Sequence, residues 1–507
     1  MDLTPVIIGV GESFDPPAIA PDASRSPVAL AADAARAAIK DAGGGDKVLR
    51  AMDAVAMTRA YPDSTPFWPH PTTPIGNAPG GLARRLGIKP RLAIYEIVGG
   101  QSPQALVGEF AGRLARGEHD VVLIAGGDAI ASEKNARRAG VTLDWTEEAD
   151  GDFIDRGLGV DGLLSAHEIA NGLVEIGAIY ALFDHARRAR LRLSREAYTR
   201  RIGELLAPFS AIASTQDGAI ARSAMSAEAI SAPSAANPIL FDPYLKSMMA
   251  KDGVNIGAAL IMTTAHRARE LGVDSGKWIY PHACAQSTEE AIMDRPDLGA
   301  SPAACAAYLA AVDGAGIELG GIKLLDVYSC FPIAIFAVRD GLGIDAAEPR
   351  PLTVTGGLPF FGGPGNNYSM HAIAAMVRAL RKDRAAFGVV GANGGFLSKH
   401  AVGVYSATKP RAAFADCPAE GLDRAPSARW TAAPEGEGVI ETYTIACRDG
   451  APHRAHAIGR LASSGERFLA ISEKGDAAGL ARFSAIDPLG ARVSVKPAER
   501  GAVFALV

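Results

Sequence analysis

Short apolar runs alternate with helical patterns in the first part of the chain. The run TPVIIGVGES predicts a buried strand, and SPVALAADAARAAIKDAGG predicts a helix with Ser26 as its cap and Pro27 in its first turn. DAVAM and RLAIYEIV predict two more strands. The next helix carries Leu106, Phe110 and Leu114 on one face, and DVVLIAGG follows as an uninterrupted apolar strand. This alternation favours a covered, largely parallel or mixed sheet.

The pattern changes three times along the rest of the chain. Acidic loops and long helices predict an inserted helical domain, and KWIYPHACAQ then starts a second half with the same strand–helix order, which indicates a duplicated fold. A linker rich in Pro, Gly and Ala precedes five segments in which apolar and polar residues alternate. These segments predict a small β domain, for which a five-stranded barrel is a suitable architecture. The predicted units are 1–129 (N-terminal half), 130–237 (inserted domain), 238–268 (end of the N-terminal half), 269–412 (C-terminal half), 413–437 (linker) and 438–507 (β domain).

Composition excludes several classes of protein. The chain has 507 residues, 48% of them hydrophobic and 21% charged, which fits about three globular domains. A net charge of −5 without a basic run argues against nucleic-acid binding. The sequence has no secretory signal pattern and no apolar run near the roughly 20 residues that insert into a membrane. Five scattered cysteines without a CxxC pair favour neither disulfides nor a metal site, so we expect a reduced, cytoplasmic protein.

Four loops stand where α/β folds place their functional sites. They are VGGQSPQ (98–104), DVYSCFP (326–332), TGGLPFFGGPGNNYSMH (355–371) and GVVGANGGFLSKH (388–400). Three of them follow apolar strands, and the carboxyl ends of strands in α/β sheets are the usual position of ligands. Helix N-termini in such loops offer N–H groups to anions and oxyanions.

Taken in order, these loops resemble those of the thiolase superfamily. The resemblance covers roughly residues 1–410 and is closest to the type 1 thiolase-like proteins, whose additional C-terminal domain resembles the β domain here. It implies a duplicated thiolase fold with αβαβα layers and an inserted loop domain. It also implies acyltransferase chemistry of lipid metabolism, as in acetyl-CoA acetyltransferase, with coenzyme A or acyl-CoA as a ligand and no tightly bound cofactor. Thiolases pair through their core domains, so the resemblance implies a homodimer, or a monomer if the added domain blocks that surface.

The sequence departs from the thiolase pattern at three positions. The position of the nucleophilic cysteine is Gln101, that of the histidine in the Gly-His-Pro turn is Gly363, and that of the acid/base cysteine is Ala392. Thiolysis needs a thiolate to hold the acyl group and a second group to move the α-proton. The loss of all three residues argues against thiolysis by the usual route.

Four other residues are candidates for catalysis. Tyr328 stands where lipid-transfer-type relatives carry histidine, and it resembles the tyrosine of thiolase-fold retro-aldolases, so it either moves a proton or anchors the loop. Cys330 is either reactive or a packed structural cysteine. His371 and His400 are either acid/base groups or structural histidines.

Five residues are candidates for binding a thioester or an oxyanion. Ser102 could be a nucleophile, but a helix cap followed by proline is the favoured interpretation. The full set is Gln101, Ser102, Asn366, Asn393 and Gly394. We expect the sulfur of coenzyme A to lie near Gln101, Tyr328 and His371.

Three functions remain open. The chain is a thioester-binding protein without usual thiolase activity, a retro-aldolase on a β-hydroxyacyl-CoA that uses Tyr328 and a histidine, or a non-catalytic carrier whose β domain docks a protein partner. The arginine-rich helix HARRARLRLSREAYTRR either attracts phosphates of coenzyme A or, as is more usual, forms a solvated face.

Overall fold

The computed structural model describes residues 1–149, 151–160, 163–418 and 425–507. The first part of the chain contains β1 (Pro5–Asp15), α1 (Pro27–Ala42), α2 (Asp46–Ala51), β2 (Met52–Met57), α3 (Tyr61–Ser64), α4 (Ala78–Leu86), β3 (Leu92–Tyr95), α5 (Ser102–Ala115) and β4 (Val121–Ala129). Then follow α6 (Ile130–Ala139), β5 (Ile154–Asp155), α7 (Ala166–Ala170), α8 (Ile176–Leu191), α9 (Arg195–Ala213), α10 (Ala227–Ser231), β6 (Ile239–Phe241), β7 (Tyr244–Leu245), β8 (Asn255–Thr264) and α11 (Ala265–Glu270).

The remaining elements form the second half and the C-terminal domain. The second half contains β9 (Tyr280–Thr288), α12 (Pro302–Gly314), β10 (Ile322–Asp326), α13 (Pro332–Gly341), α14 (Tyr368–Lys382), β11 (Phe387–Gly394), β12 (Lys399–Ser406) and β13 (Ala415–Pro418). The C-terminal domain contains β14 (Gly436–Arg448), β15 (Ala451–Leu461), β16 (Arg467–Ser472), α15 (Ala477–Ala485), β17 (Arg492–Pro497) and β18 (Ala502–Leu506).

Two mixed sheets enclose a central pair of helices. The first sheet has the strand order β1-β8-β4-β2-β3-β5, and the second has the order β10-β11-β12-β9-β13. Helices α5 and α14 contact each other and both sheets, whereas α1 and α4 cover the outer face of the first sheet and α12 covers that of the second. The predicted αβαβα fold is therefore confirmed.

Local sequence signals explain where helix α1 begins and ends. Ala29 N donates a hydrogen bond to Ser26 Oγ over 3.1 Å, and Pro27 occupies the first turn. The helix ends at Gly43, whose φ of +79° suits a residue without a side chain. The predicted cap at Ser26 is confirmed.

The C-terminal domain is a closed five-stranded barrel. Its strands pair in the order β14-β15-β16-β18-β17, and β17 returns to β14. The β16–β18 pair is parallel and the other pairs are antiparallel. The predicted barrel is confirmed. Helix α15 is not predicted from the sequence; its N-cap Asp476 accepts a hydrogen bond from Gly479 N over 2.7 Å.

The barrel is bonded to the rest of the protein. Strand β6 pairs with β14 through Phe241 and Ala446. The buried Arg188 of α8 donates to both carboxylate oxygens of Asp487 over 2.6 and 2.7 Å. Arg467 of β16 donates to main-chain carbonyl groups of the second half. None of the helices in the described ranges is long and apolar enough to cross a bilayer.

Candidate functional site

The turn between β3 and α5 lies at the centre of the candidate site. Gly99 has a φ of +142°, which favours glycine, and Gln101 is the N-cap residue of α5 without a side-chain capping bond. The prediction that Ser102 caps the helix is wrong. Ser102 is the first helical residue, and its hydroxyl donates to Ile97 O over 2.9 Å instead of accepting from the helix. The hydroxyl of Ser102 thus bonds to the loop that precedes the helix and not to the N–H groups of the first helical turn.

Two glycines allow Tyr328 and Gln101 to approach the backbone closely. A Cβ atom at Gly100 would lie 2.1 Å from Tyr328 Oη and 2.6 Å from Asn393 O. A Cβ atom at Gly394 would lie 1.8 Å from Gln101 Oε1. Four of the predicted residues, Gln101, Tyr328, Asn393 and Gly394, therefore meet at one point of the fold.

The loop before α14 fixes the same turn from the other side. Gly99 N donates to Asn366 Oδ1 over 2.8 Å, and Ser369 Oγ donates to Gly100 O over 2.7 Å. Asn366 Nδ2 donates to Arg59 O over 2.7 Å. Asn366 thus orients the turn, and its side-chain oxygen is already engaged by a main-chain N–H group.

Asn393 connects the site to Cys330 and to the inserted domain. Its Nδ2 atom donates to Tyr180 Oη over 2.9 Å and lies 3.6 Å from Cys330 Sγ. Tyr180 also accepts from Leu397 N over 2.9 Å and stacks on Phe331 with a ring-centre distance of 4.4 Å. Tyr180 is not among the residues predicted from the sequence. The signal available was a tyrosine hydroxyl within the apolar segment GAIYALF of α8, which has to find a partner when it is buried.

Two acceptor atoms at the site have no partner among the residues that the structure describes. Gln101 Oε1 and Asn393 Oδ1 are buried, and no hydrogen bond reaches either of them from the described residues. An unsatisfied buried acceptor is costly, and a ligand that donates a hydrogen bond would remove this cost.

Burial raises the pKa values of the two ionisable side chains near the turn, Cys330 and Tyr328. Burial raises the pKa of Cys330 to about 12. Burial also raises the pKa of Tyr328, and the neighbouring Cys330 adds to this effect. Both groups are therefore protonated near neutral pH, so neither supplies an activated nucleophile.

His371 lies in a different environment. Its Nδ1 atom is 2.6 Å from Glu12 Oε1, and its ring packs against Phe14 and Phe361. Burial raises the pKa of Glu12, but the hydrogen bond with His371 and the charge of Arg378 lower it by more. These contacts tie α14 to β1, and none of them involves Gln101 or Tyr328.

His400 is opposite Asn393 in the β11–β12 ladder. Its Nε2 atom is 3.2 Å from Ser301 Oγ. Burial, with a further contribution from the charge of Arg295, lowers the pKa of His400 to about 3. The imidazole is therefore neutral near pH 7.

The other two positions that differ from the thiolase pattern carry no functional side chain. Gly363 N donates to Lys251 O over 2.7 Å, and Ala392 is buried in β11. The described residues contain no group of three His, Cys, Asp or Glu side chains arranged to hold a metal ion. The site thus offers neutral donors and acceptors, which suit a polar uncharged group such as a thioester carbonyl.

Comparison with known proteins identifies the family. Residues 418–500 match the additional C-terminal domain of thiolase-like protein type 1. The structure of a monomeric SCP2-thiolase-like protein type 1 from Mycobacterium smegmatis is 39% identical, covers 100% of both chains and has a TM-score of 0.84. The chain belongs to this family.

More distant thiolase folds resemble this type 1 thiolase-like protein over about 80% of its length. The Ltp2-ChsH2(DUF35) aldolase is 18% identical, covers 80% of this chain and 99% of its own, and has a TM-score of 0.58. Human mitochondrial 3-ketoacyl-CoA thiolase in complex with CoA is also 18% identical, covers 80% of this chain and 98% of its own, and has a TM-score of 0.55. No curated protein sequence matches the thiolase-like chain.

Proposed function

We propose that this thiolase-like protein binds acyl-CoA or a related thioester and does not catalyse thiolysis. The observation that carries the proposal is Gln101. An amide side chain stands at the N-terminus of α5, where the family resemblance assigns the nucleophilic cysteine. A glutamine cannot form an acyl-enzyme, but its amide can donate to the carbonyl of a bound thioester.

The surrounding residues support binding without thiolysis. The thiol of Cys330 stays protonated, and Gly363 and Ala392 provide no acid or base. The unpartnered acceptors Gln101 Oε1 and Asn393 Oδ1 fit a ligand with N–H or O–H groups. The fold shared with a human thiolase that binds CoA supports the choice of a CoA ester.

Thermal shift measurements and calorimetry test binding. Acetyl-CoA should raise Tm, because a ligand at 100 times its Kd stabilises the native state by about 2.7 kcal/mol. Gln101→Leu should weaken acetyl-CoA binding about fivefold, the value of one neutral hydrogen bond. Free CoA, which lacks the acyl carbonyl, should bind equally to both proteins. The proposal fails if no CoA ester shifts Tm, or if acetoacetyl-CoA is rapidly thiolysed and this activity survives Cys330→Ala.

A retro-aldol reaction on a β-hydroxyacyl-CoA is the second candidate. Tyr328 favours it, because a buried, protonated phenol in contact with the Gly100 turn can give its proton to the enolate carbon that forms when the carbon–carbon bond breaks. The phenolate then takes the proton that the β-hydroxyl group loses as it becomes the carbonyl product, and this restores Tyr328. The similarity in fold to an aldolase is consistent with this reaction. Tyr328→Phe should abolish release of the carbonyl product, and the buried Tyr308→Phe is a matched control. Equal turnover by Tyr328→Phe and wild type would exclude the idea.

A non-catalytic carrier that docks a protein through its barrel is the remaining alternative. A screen in which no CoA derivative changes Tm, together with retained folding, would favour it.

A further inference from the structure

A cavity of about 480 Å³ lies between α9 and the segment that follows α13. Its lining is amphipathic, with arginines and carboxylates beside prolines and large apolar side chains. The residues that matter here are Arg201, Phe209, Arg339, Asp345, Arg350 and Leu352.

Two arginines of this cavity have no counter-ion among the described residues. The ring of Phe336 supports both Arg339, at 5.0 Å, and Arg187, at 3.9 Å. Arg187 holds the carboxylate of Asp340 over 2.7 and 3.0 Å. Arg339 and Arg201 make neither an ion pair nor a hydrogen bond with any residue in the described ranges.

The like charges destabilise each other. Burial lowers the pKa of Arg339, and the charges of Arg187 and Arg201 lower it further. Holding two unpaired guanidinium groups close together costs free energy that a bound anion would recover.

The acidic residues of the cavity do not neutralise these arginines. Glu348 binds Arg350 over 2.9 Å, and Asp345 accepts from Ala347 N over 2.7 Å. Glu204 is exposed one turn after Arg201 and forms no ion pair with described residues.

Two lining residues of the cavity, Leu352 and Phe209, lie next to the loop that carries Tyr328 or its immediate packing. Val327 N donates to Leu352 O over 2.9 Å. A Cβ atom at Gly357 would lie 2.7 Å from the Phe209 ring and 2.5 Å from Ser329 Oγ. The cavity is therefore connected to the loop of the candidate site through Leu352 and Phe209.

We propose that Arg201 and Arg339 form a binding site for a phosphate ester. Planar guanidinium groups bind phosphate oxygens in pairs, and the support from Phe336 fixes Arg339 before the ligand arrives. The apolar floor of Phe209 and Leu352 suits an organic group attached to the phosphate. The phosphate can belong to coenzyme A itself or to a separate phosphorylated metabolite, so the site does not depend on the acyl-CoA proposal.

Calorimetry with inorganic pyrophosphate tests the site. Wild type should bind it, and Arg339→Gln and Arg201→Gln should each weaken binding about 10- to 100-fold, the effect of losing a hydrogen bond to a charged group. Arg200→Gln is the matched control, because Arg200 is the preceding residue of α9 but lines a different cavity, and it should bind like wild type. Since Arg201 is exposed, Arg201→Gln remains informative if Arg339→Gln does not fold.

A second titration identifies the source of the phosphate. If the same variants also weaken CoA binding, the phosphates of CoA occupy the site. If CoA binding is unchanged while pyrophosphate binding is lost, the natural ligand is a separate phosphate ester. Wild type that does not bind pyrophosphate, or glutamine variants that bind it as well as Arg200→Gln does, would overturn the proposal.

Discussion

Replacing Tyr180 with phenylalanine removes a hydroxyl group that makes three hydrogen bonds to residues in and beside the turn between β11 and β12. Tyr180 Oη donates to Gly395 O over 3.2 Å and accepts from Asn393 Nδ2 and Leu397 N, each over 2.9 Å. The ring itself would remain stacked on Phe331. The substitution thus isolates the hydrogen bonds between the inserted domain and the turn that joins β11 to β12.

The expected cost follows from two donors, Leu397 N and Asn393 Nδ2, that lose this acceptor; Asn393 Nδ2 keeps only its 3.6 Å contact with Cys330 Sγ. A buried polar group that loses its hydrogen bond costs about 1–3 kcal/mol, so Tyr180→Phe should destabilise this turn by about 2–6 kcal/mol. The amide of Leu397 should report the change directly, because its hydrogen exchange is slowed by its bond to Tyr180.

Hydrogen exchange with mass spectrometry is the appropriate assay. Peptides that contain Leu397 should exchange faster in Tyr180→Phe, and acetyl-CoA binding should weaken, because Asn393 loses the partner that orients it. Tyr308→Phe is the control, since Tyr308 is equally buried but donates no hydrogen bond to a described residue. Unchanged exchange at Leu397 in Tyr180→Phe would refute the argument that this hydroxyl organises the site.

Three further predictions concern charge and reactivity. Cys330 should resist iodoacetamide near pH 8 in the folded protein and react after unfolding in urea, as measured by mass spectrometry, because its thiol is buried with a pKa of about 12. Burial raises the pKa of Asp128 from 3.8 to about 8, so its contribution to stability is complete below about pH 4 and is lost as the pH rises through 8. Thermal melts should therefore show Tm of wild type falling relative to that of Asp128→Asn between about pH 4 and pH 8, and parallel curves would contradict this. Asp487→Asn should lower the free energy of unfolding by about 1–3 kcal/mol in urea titrations, because Arg188 is fully buried while Asp487 is partly exposed; an unchanged titration would mean that their pairing is neutral.

Local sequence patterns predict individual elements of the fold, whereas the αβαβα layers follow from the resemblance to the thiolases. The cap at Ser26, the glycine after α1 and the alternation in β14 to β18 depend on residues a few positions apart, so a single sequence reveals them. Helix α15 was missed because GDAAGLARFSA is short and lies among strands, although Asp476 marks its beginning.

The candidate site depends on contacts that a single sequence does not encode locally. Gln101 meets Gly394, and Gly99 N meets Asn366, although hundreds of residues separate the partners. The sequence could propose Gln101, Tyr328 and Asn393 as members of one site. It could not reveal that His371 binds Glu12 instead, because that contact depends on how α14 packs against β1.

The link between Arg188 and Asp487 has a consequence for synthesis of the chain. The two residues are 299 positions apart, and Arg188 is completely buried in the finished protein. At a rate of about 5–20 residues per second, a ribosome needs about 15–60 s to reach Asp487 after it has passed Arg188. During that time the inserted domain carries an arginine whose carboxylate has not yet been made. Final packing of α8 against the barrel therefore has to wait until Asp487 has been made, and a chain that stops before the barrel lacks the carboxylate that pairs with Arg188.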